Sequence, residues 1–202
     1  MKLYRPATVL VGILFVLLGG VTRLAAPEQV FEDQHLIAVG GTIGEPLKYA
    51  GSDSTVTITR MKFAKTLVEE DGSDDDKPFE TNGVYVALEW DTVRGIEKPA
   101  NTGPSLVADG GTIYHPIGGL TDSGIDFPEA GFAKTGAIVF EVNPTDLKGL
   151  KLEIRPSMLF TVLNSYVEVD LGIPSEEVAQ ELVDGADAQY VLQDPVIRVA
   201  SS

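Results

Sequence analysis

Beyond residue 35 the apolar and polar positions repeat with a period of two, the repeat of a half-buried strand. In Gly83 to Trp90, Val84, Val86, Leu88 and Trp90 share one face, and Tyr85, Ala87 and Glu89 share the other. In Tyr166 to Leu171, Val167, Val169 and Leu171 alternate with Glu168 and Asp170. Ser54 to Phe63 is rich in Thr, Val and Ile, while Gly136 to Val142 and Lys151 to Pro156 are short runs of strand type. Asp109-Gly110-Gly111 lies between two such runs and signals a hairpin. A weaker strand falls within His35 to Ala50. The pattern predicts an all-β, Ig-like sandwich of about seven strands. No helical pattern separates the strands, as a parallel α/β fold would require. The expected core is Val84, Val86, Leu88, Trp90, Ile138, Phe140, Val167, Val169 and Leu171.

A helical period enters late. Ser175 is placed to cap a short helix, with Glu176 and Glu177 in its first turn, a stripe of Val178, Leu182 and Val183, and Gly185 as its stop. Ala188 to Ser202 reads as an edge strand interrupted by Pro195. From about residue 174 the chain is therefore a C-terminal extension of the sandwich.

The first residues follow a different rule. Lys2 and Arg5 precede an uncharged run from Pro6 to Thr22, and Arg23 closes it. A basic start and an apolar middle mark an export signal. A cleavage site of small residues is poor here: a cut after Ala26 leaves Leu24 three positions back and Pro27 just beyond, and a cut after Ala25 leaves Arg23 three back. The expectation is an uncleaved single-pass transmembrane helix over residues 1–23, N-terminus in the cytoplasm. A polar stalk over 24–34 and an extracytoplasmic domain over 35–202 follow. The alternative is a protein secreted after cleavage.

Charge narrows the partners. The chain has 15 basic and 30 acidic residues, and Lys2, Arg5 and Arg23 are the only charged residues of the first 23. The remainder is strongly acidic. That excludes nucleic acid, which needs a basic face, and opposes lying on an anionic lipid surface. There is no cysteine, so neither a disulfide nor a thiolate can serve the domain.

Candidate chemistry is sparse. Phe127 to Val142 has two glycines, Gly131 and Gly136, around Lys134-Thr135. A phosphate loop places Lys and Ser/Thr after the second glycine and opens a helix; here they precede it and a strand run follows. No nucleotide is expected, and the stretch reads as a loop feeding a strand. Asp122-Ser123-Gly124 resembles half of an aspartic-protease site, but no second such tripeptide faces it, so it reads as a turn. His35 and His115 lack a visible catalytic partner, and no nucleophile elbow or zinc helix is present. The run Glu69 to Asp76 holds six carboxylates around Gly72. As a calcium site, its ligands would be Asp71, Asp74 and Asp76, but the order does not fit the calcium loop, and a solvated loop is the expected reading.

Several stretches together resemble a family. Ser54 to Phe63 after a Gly-containing lead-in, Gly83 to Trp90 after an acidic loop, Ser105 to Pro116, and Pro128 to Val142 followed by Leu150 to Pro156 and Val167 to Gly172 are similar to the Ig-like domains of unknown function in small exported actinobacterial and firmicute proteins. That family includes a secreted mycobacterial immunogenic antigen. The resemblance spans roughly Gly40 to Gly172 and omits the tail after Ile173. It implies a sandwich, a cell-envelope location and a role in binding or assembly, with no catalytic residues to carry over. The lipoprotein members' anchoring cysteine is missing here. The expected function is a membrane-anchored accessory domain that docks another cell-envelope protein without catalysis and without a cofactor. The alternatives are an envelope hydrolase with an unrecognised carboxylate site, or a secreted protein that binds calcium weakly.

Overall fold

The computed structural model of the chain describes residues 36–70, 77–118, 124–156 and 165–200. The predicted membrane span over 1–23 and the stalk over 24–34 lie outside the described residues. Among the described residues no helix is long and apolar enough to cross a membrane.

Eleven strands are described: β1 (Ile37–Thr42), β2 (Leu47–Lys48), β3 (Thr55–Glu69), β4 (Phe79–Val93), β5 (Thr102–Val107), β6 (Ile113–Tyr114), β7 (Phe132–Val142), β8 (Lys151–Pro156), β9 (Ser165–Asp170), β10 (Tyr190–Leu192) and β11 (Val196–Val199). One α-helix, α1 (Glu176–Asp184), follows β9. The strands form two sheets, ordered β1-β9-β8-β5-β6 and β10-β3-β4-β7-β11, with β2 added beside β3. The protein is an all-β sandwich. The count exceeds the seven expected because the second arm of the expected hairpin, β6, and the two pieces of the interrupted edge strand, β10 and β11, stand as separate strands, and because the two-residue β2 is too short to show a period.

The main core lies between the sheets. Val84, Val86, Leu88 and Trp90 of β4 meet Ile138 and Phe140 of β7, and Leu152, Ile154, Val167 and Val169 come from the facing sheet. All nine residues expected in the core are buried. The period-two pattern survives because each of these strands has one face turned to the opposite sheet.

The other face of β4 departs from expectation. Tyr85 and Ala87 are buried, in a second cluster with Ala64, Leu67, Ala137, Val139 and Leu192. Two features cover this outer face. Between Ala64↔Tyr85 and Thr66↔Glu80 the β3–β4 ladder advances two residues on one strand and five on the other, an irregularity of the kind that bends a hairpin. Then β10 runs parallel to the far end of β3, pairing Tyr190, Val191 and Leu192 with Leu67, Val68 and Glu69.

The turns follow their residues. Gly111, at φ 85°, donates its N–H to Ala108 O at 2.8 Å and closes the β5–β6 hairpin. Ser175 caps α1, its Oγ accepting from Val178 N at 3.4 Å, and Ala179 is the buried residue of the helix. Val178, Leu182 and Val183 pack on the main core, as the stripe predicts.

Candidate docking site

β11 borders β7 and forms one edge of its sheet. The pair is antiparallel, with Val196↔Thr135, Ile197↔Lys134, Arg198↔Ala133 and Val199↔Phe132. The ladder continues one step further, where Ala200 N–H donates to Gly131 O at 3.1 Å. In an antiparallel ladder inward and outward main-chain groups alternate. Val196, Arg198 and Ala200 therefore point their N–H and C=O at β7, and Ile197 and Val199 point theirs away. On the β7 side, Thr135 Oγ1 donates to Val196 O at 3.4 Å.

Side chains on this strand are unusually bare for their type. Val196, Ile197 and Val199 are 60%, 59% and 73% exposed, and Phe132, opposite Val199, is 39% exposed. Ile197, Val199 and Phe132 lie on the sheet face that elsewhere looks into the core. Arg198 is on the other face, where it forms an ion pair with Asp91 of β4. Lys134 is likewise engaged, with its Nζ 2.9 Å from Asp126. Arg198 and Lys134 are thus neutralised, and among the described residues the strand offers outward apolar side chains and main-chain groups that no other strand pairs.

The loop that leads into β7 is fixed from the end of β4. Arg94 Nη1 donates to Pro128 O at 3.2 Å and to Glu129 Oε2 at 3.1 Å. Gly131, at φ 85°, makes the turn. This end of the sandwich carries a cavity of about 350 Å³ lined in part by Arg94, Lys98, Asn101, Asp126 and Phe127. Tyr49 packs beneath Phe127, ring centroids 5.2 Å apart, and burial pushes the Tyr49 hydroxyl well above its ordinary range.

The stretch Phe127 to Val142 is a loop and a strand, as its order of residues predicts, but the strand begins at Phe132. Gly136 is therefore inside it and not at its start. It stands opposite Trp90, and the indole occupies the space a side chain would need. Lys134 and Thr135 serve Asp126 and Val196, respectively.

Other predicted site residues are not brought together. His115 is exposed beyond β6. His35, Asp122, Ser123 and the calcium candidates Asp71, Asp74 and Asp76 lie outside the described residues, and Gly124 is at the cavity. Among the described residues no three of His, Cys, Asp or Glu are grouped to hold a metal. The titratable shifts follow from packing. Burial pushes Tyr190 up to about 12, and the Tyr114 hydroxyl, 2.6 Å from Asp146 Oδ2, holds that carboxyl below its ordinary value.

No protein-family model and no curated protein matches this chain. A crystal structure of an uncharacterised β-sandwich protein from Clostridium difficile is similar to it, at 16% identity and a TM-score of 0.41, over 67% of this chain and 95% of that one.

Proposed function

We propose that the chain is a membrane-anchored, extracytoplasmic binding domain that docks another cell-envelope protein and performs no catalysis. The observation that carries the docking role is the bare apolar strip of Phe132, Ile197 and Val199 on one face of a sheet edge, with Val196 bare on the other face. Single exposed apolar side chains occur elsewhere, Ile37, Ile96 and Ile113 among them, but side chains clustered along one edge are the mark of an interaction site. The envelope location rests on the basic start and uncharged run of residues 1–23.

We read the sandwich as Ig-like, in keeping with the family resemblance. The strands β3-β4-β7 face β5-β8-β9, which is the order of strands A-B-E and C-F-G in the immunoglobulin sandwich. β6, paired with β5, takes the place of the added C′ strand.

A photo-crosslinking residue at Ile197 tests the role in intact cells. One envelope protein should be captured reproducibly there and not from the same residue placed at Glu176 of α1. Absence of any protein adduct at Ile197 overturns docking. Robust turnover in a hydrolase screen of the purified chain overturns the non-catalytic reading.

A further inference from the structure

We infer that the partner docks by adding an extended strand to the outer edge of β11, and that this strand alternates apolar and basic residues. The inference rests on the docking role proposed above and assigns its mode and chemistry.

The main chain carries the first half of the argument. Ile197 and Val199 turn their N–H and C=O groups away from β7, given the register of the pair and the Ala200–Gly131 bond that fixes its phase. An open edge is a template for another strand, and proteins that need no partner there blunt it with charge, proline or a bulge. Here Pro195 stands before the strand, and within it the one charge, Arg198, is drawn to the other face by Asp91. Among the described residues nothing on the edge itself repels a strand. The side chains beside it, Ile197, Val199 and Phe132, give an added strand apolar contacts on one face, as strand-addition modes require.

Charge selects the occupant. The chain carries a formal net charge of −15. Glu129, two residues from Gly131, is itself paired with Arg94 while its side chain stays 87% exposed, so the field at the edge is that of the chain's net negative charge. The cations nearest the strand, Arg198 and Lys134, are already paired. A basic segment is attracted and an acidic one is not. A second copy of this chain is disfavoured on both counts. Its net charge is of the same sign, and its own edge strand offers one basic residue, Arg198, already paired with Asp91.

Proline isolates the main chain from the side chains. Ile197→Pro/Val199→Pro removes the two outward N–H groups and leaves the inward ladder of Val196, Arg198 and Ala200 intact, a position edge strands tolerate. The probe is a seven-residue peptide alternating valine and lysine, titrated by NMR against the full chain. Versions with glutamate for lysine, and with N-methyl groups on alternate amides, serve beside it. The valine–lysine peptide should bind and protect the amides of Ile197 and Val199 from exchange. The proline pair should weaken binding at least tenfold, and so should N-methylation, which leaves the protein unaltered should the prolines disturb it. The glutamate peptide should not bind. Equal binding by the proline pair or by the N-methyl peptide overturns strand addition. Equal binding of the glutamate peptide overturns the basic partner. No binding at millimolar peptide overturns both. A dimer in sedimentation that the prolines dissolve makes a second copy the occupant and overturns the assignment. A cell-envelope adduct at Ile197 that the Val199→Pro substitution leaves undiminished keeps docking and removes strand addition.

Discussion

The indole of Trp90 lies against the main chain of Gly136. A Cβ at residue 136 would stand 2.6 Å from Trp90 Cζ2, closer than two carbons pack, and Trp90 is 1% exposed with no room to retreat. Gly136→Ala should therefore destabilise the fold by about 1–3 kcal/mol through overpacking. Trp90→Ala should cost about 3–5 kcal/mol through the cavity it leaves. Placed together the two should cost less than their sum, since the alanine methyl enters space the indole has vacated. Urea unfolding of the four proteins measures the coupling, and strict additivity would show that the contact is unimportant.

Acid should loosen the contact between β6 and the turn after β7. Asp146 is held below its ordinary value first by the Tyr114 hydroxyl. A carboxyl with a lowered folded pKa adds stability above its unfolded value, near 4, and that stability is lost as pH falls through the lower folded value. Tyr114 is itself shifted up, first by burial, so its contribution is lost at the alkaline end as pH rises. Tyr114→Phe should flatten the acid limb of a plot of urea midpoint against pH. An acid limb of unchanged slope would place the dependence on other carboxylates.

The N-terminal segment is testable without any structure. If residues 1–23 anchor the chain with its domain outside, protease added to spheroplasts digests the domain, and the mature protein keeps its first residues. A mature N-terminus near Pro27 would make the protein a secreted one.

Calcium separates the two readings of the acidic run. As a solvated loop, it should respond alike to calcium and magnesium, through weak screening. A site with a dissociation constant of about 10⁻⁴ M would add roughly 1.4 kcal/mol at millimolar calcium. A calcium-specific rise in melting temperature that vanishes in Asp74→Asn/Asp76→Asn would establish Asp71, Asp74 and Asp76 as a metal site.

What was legible depended on how local its cause is. Val84, Val86, Leu88 and Trp90 announce the inner face of β4 because period two and one buried face are written in consecutive residues. The burial of Tyr85 and Ala87 was not legible, because the residues packed around them include Ile117 and, about a hundred residues away, Tyr190 and Leu192 of the short β10. Gly136 looked like the start of a strand because its reason sits across the sheet at Trp90. The extension past 174 was readable as a capped helix and a broken edge strand. That its Val196, Ile197 and Val199 stay bare was not, since exposure of an apolar strand depends on what the rest of the fold fails to lay over it. The site proposed here therefore had no motif to find.

The sheet centred on β4 takes both of its borders, β10 and β11, from residues that follow every strand they border. This has a consequence in time. A growing chain can pair β3, β4 and β7 long before β11 exists, because about 55 residues separate Val142 from Val199, which is roughly 3–11 s of synthesis at 5–20 residues per second. Through that interval the outer edge of β3 has only the two-residue β2 beside one end, that of β7 has only the bridge from Pro116 to Phe140, and the face holding Ala87, Ala137 and Val139 lacks the cover of Tyr190 and Leu192. A nascent chain so exposed is sticky to its own siblings on a polysome. The burden of keeping it apart falls on holding factors at the ribosome, and it ends only when the last two strands are delivered.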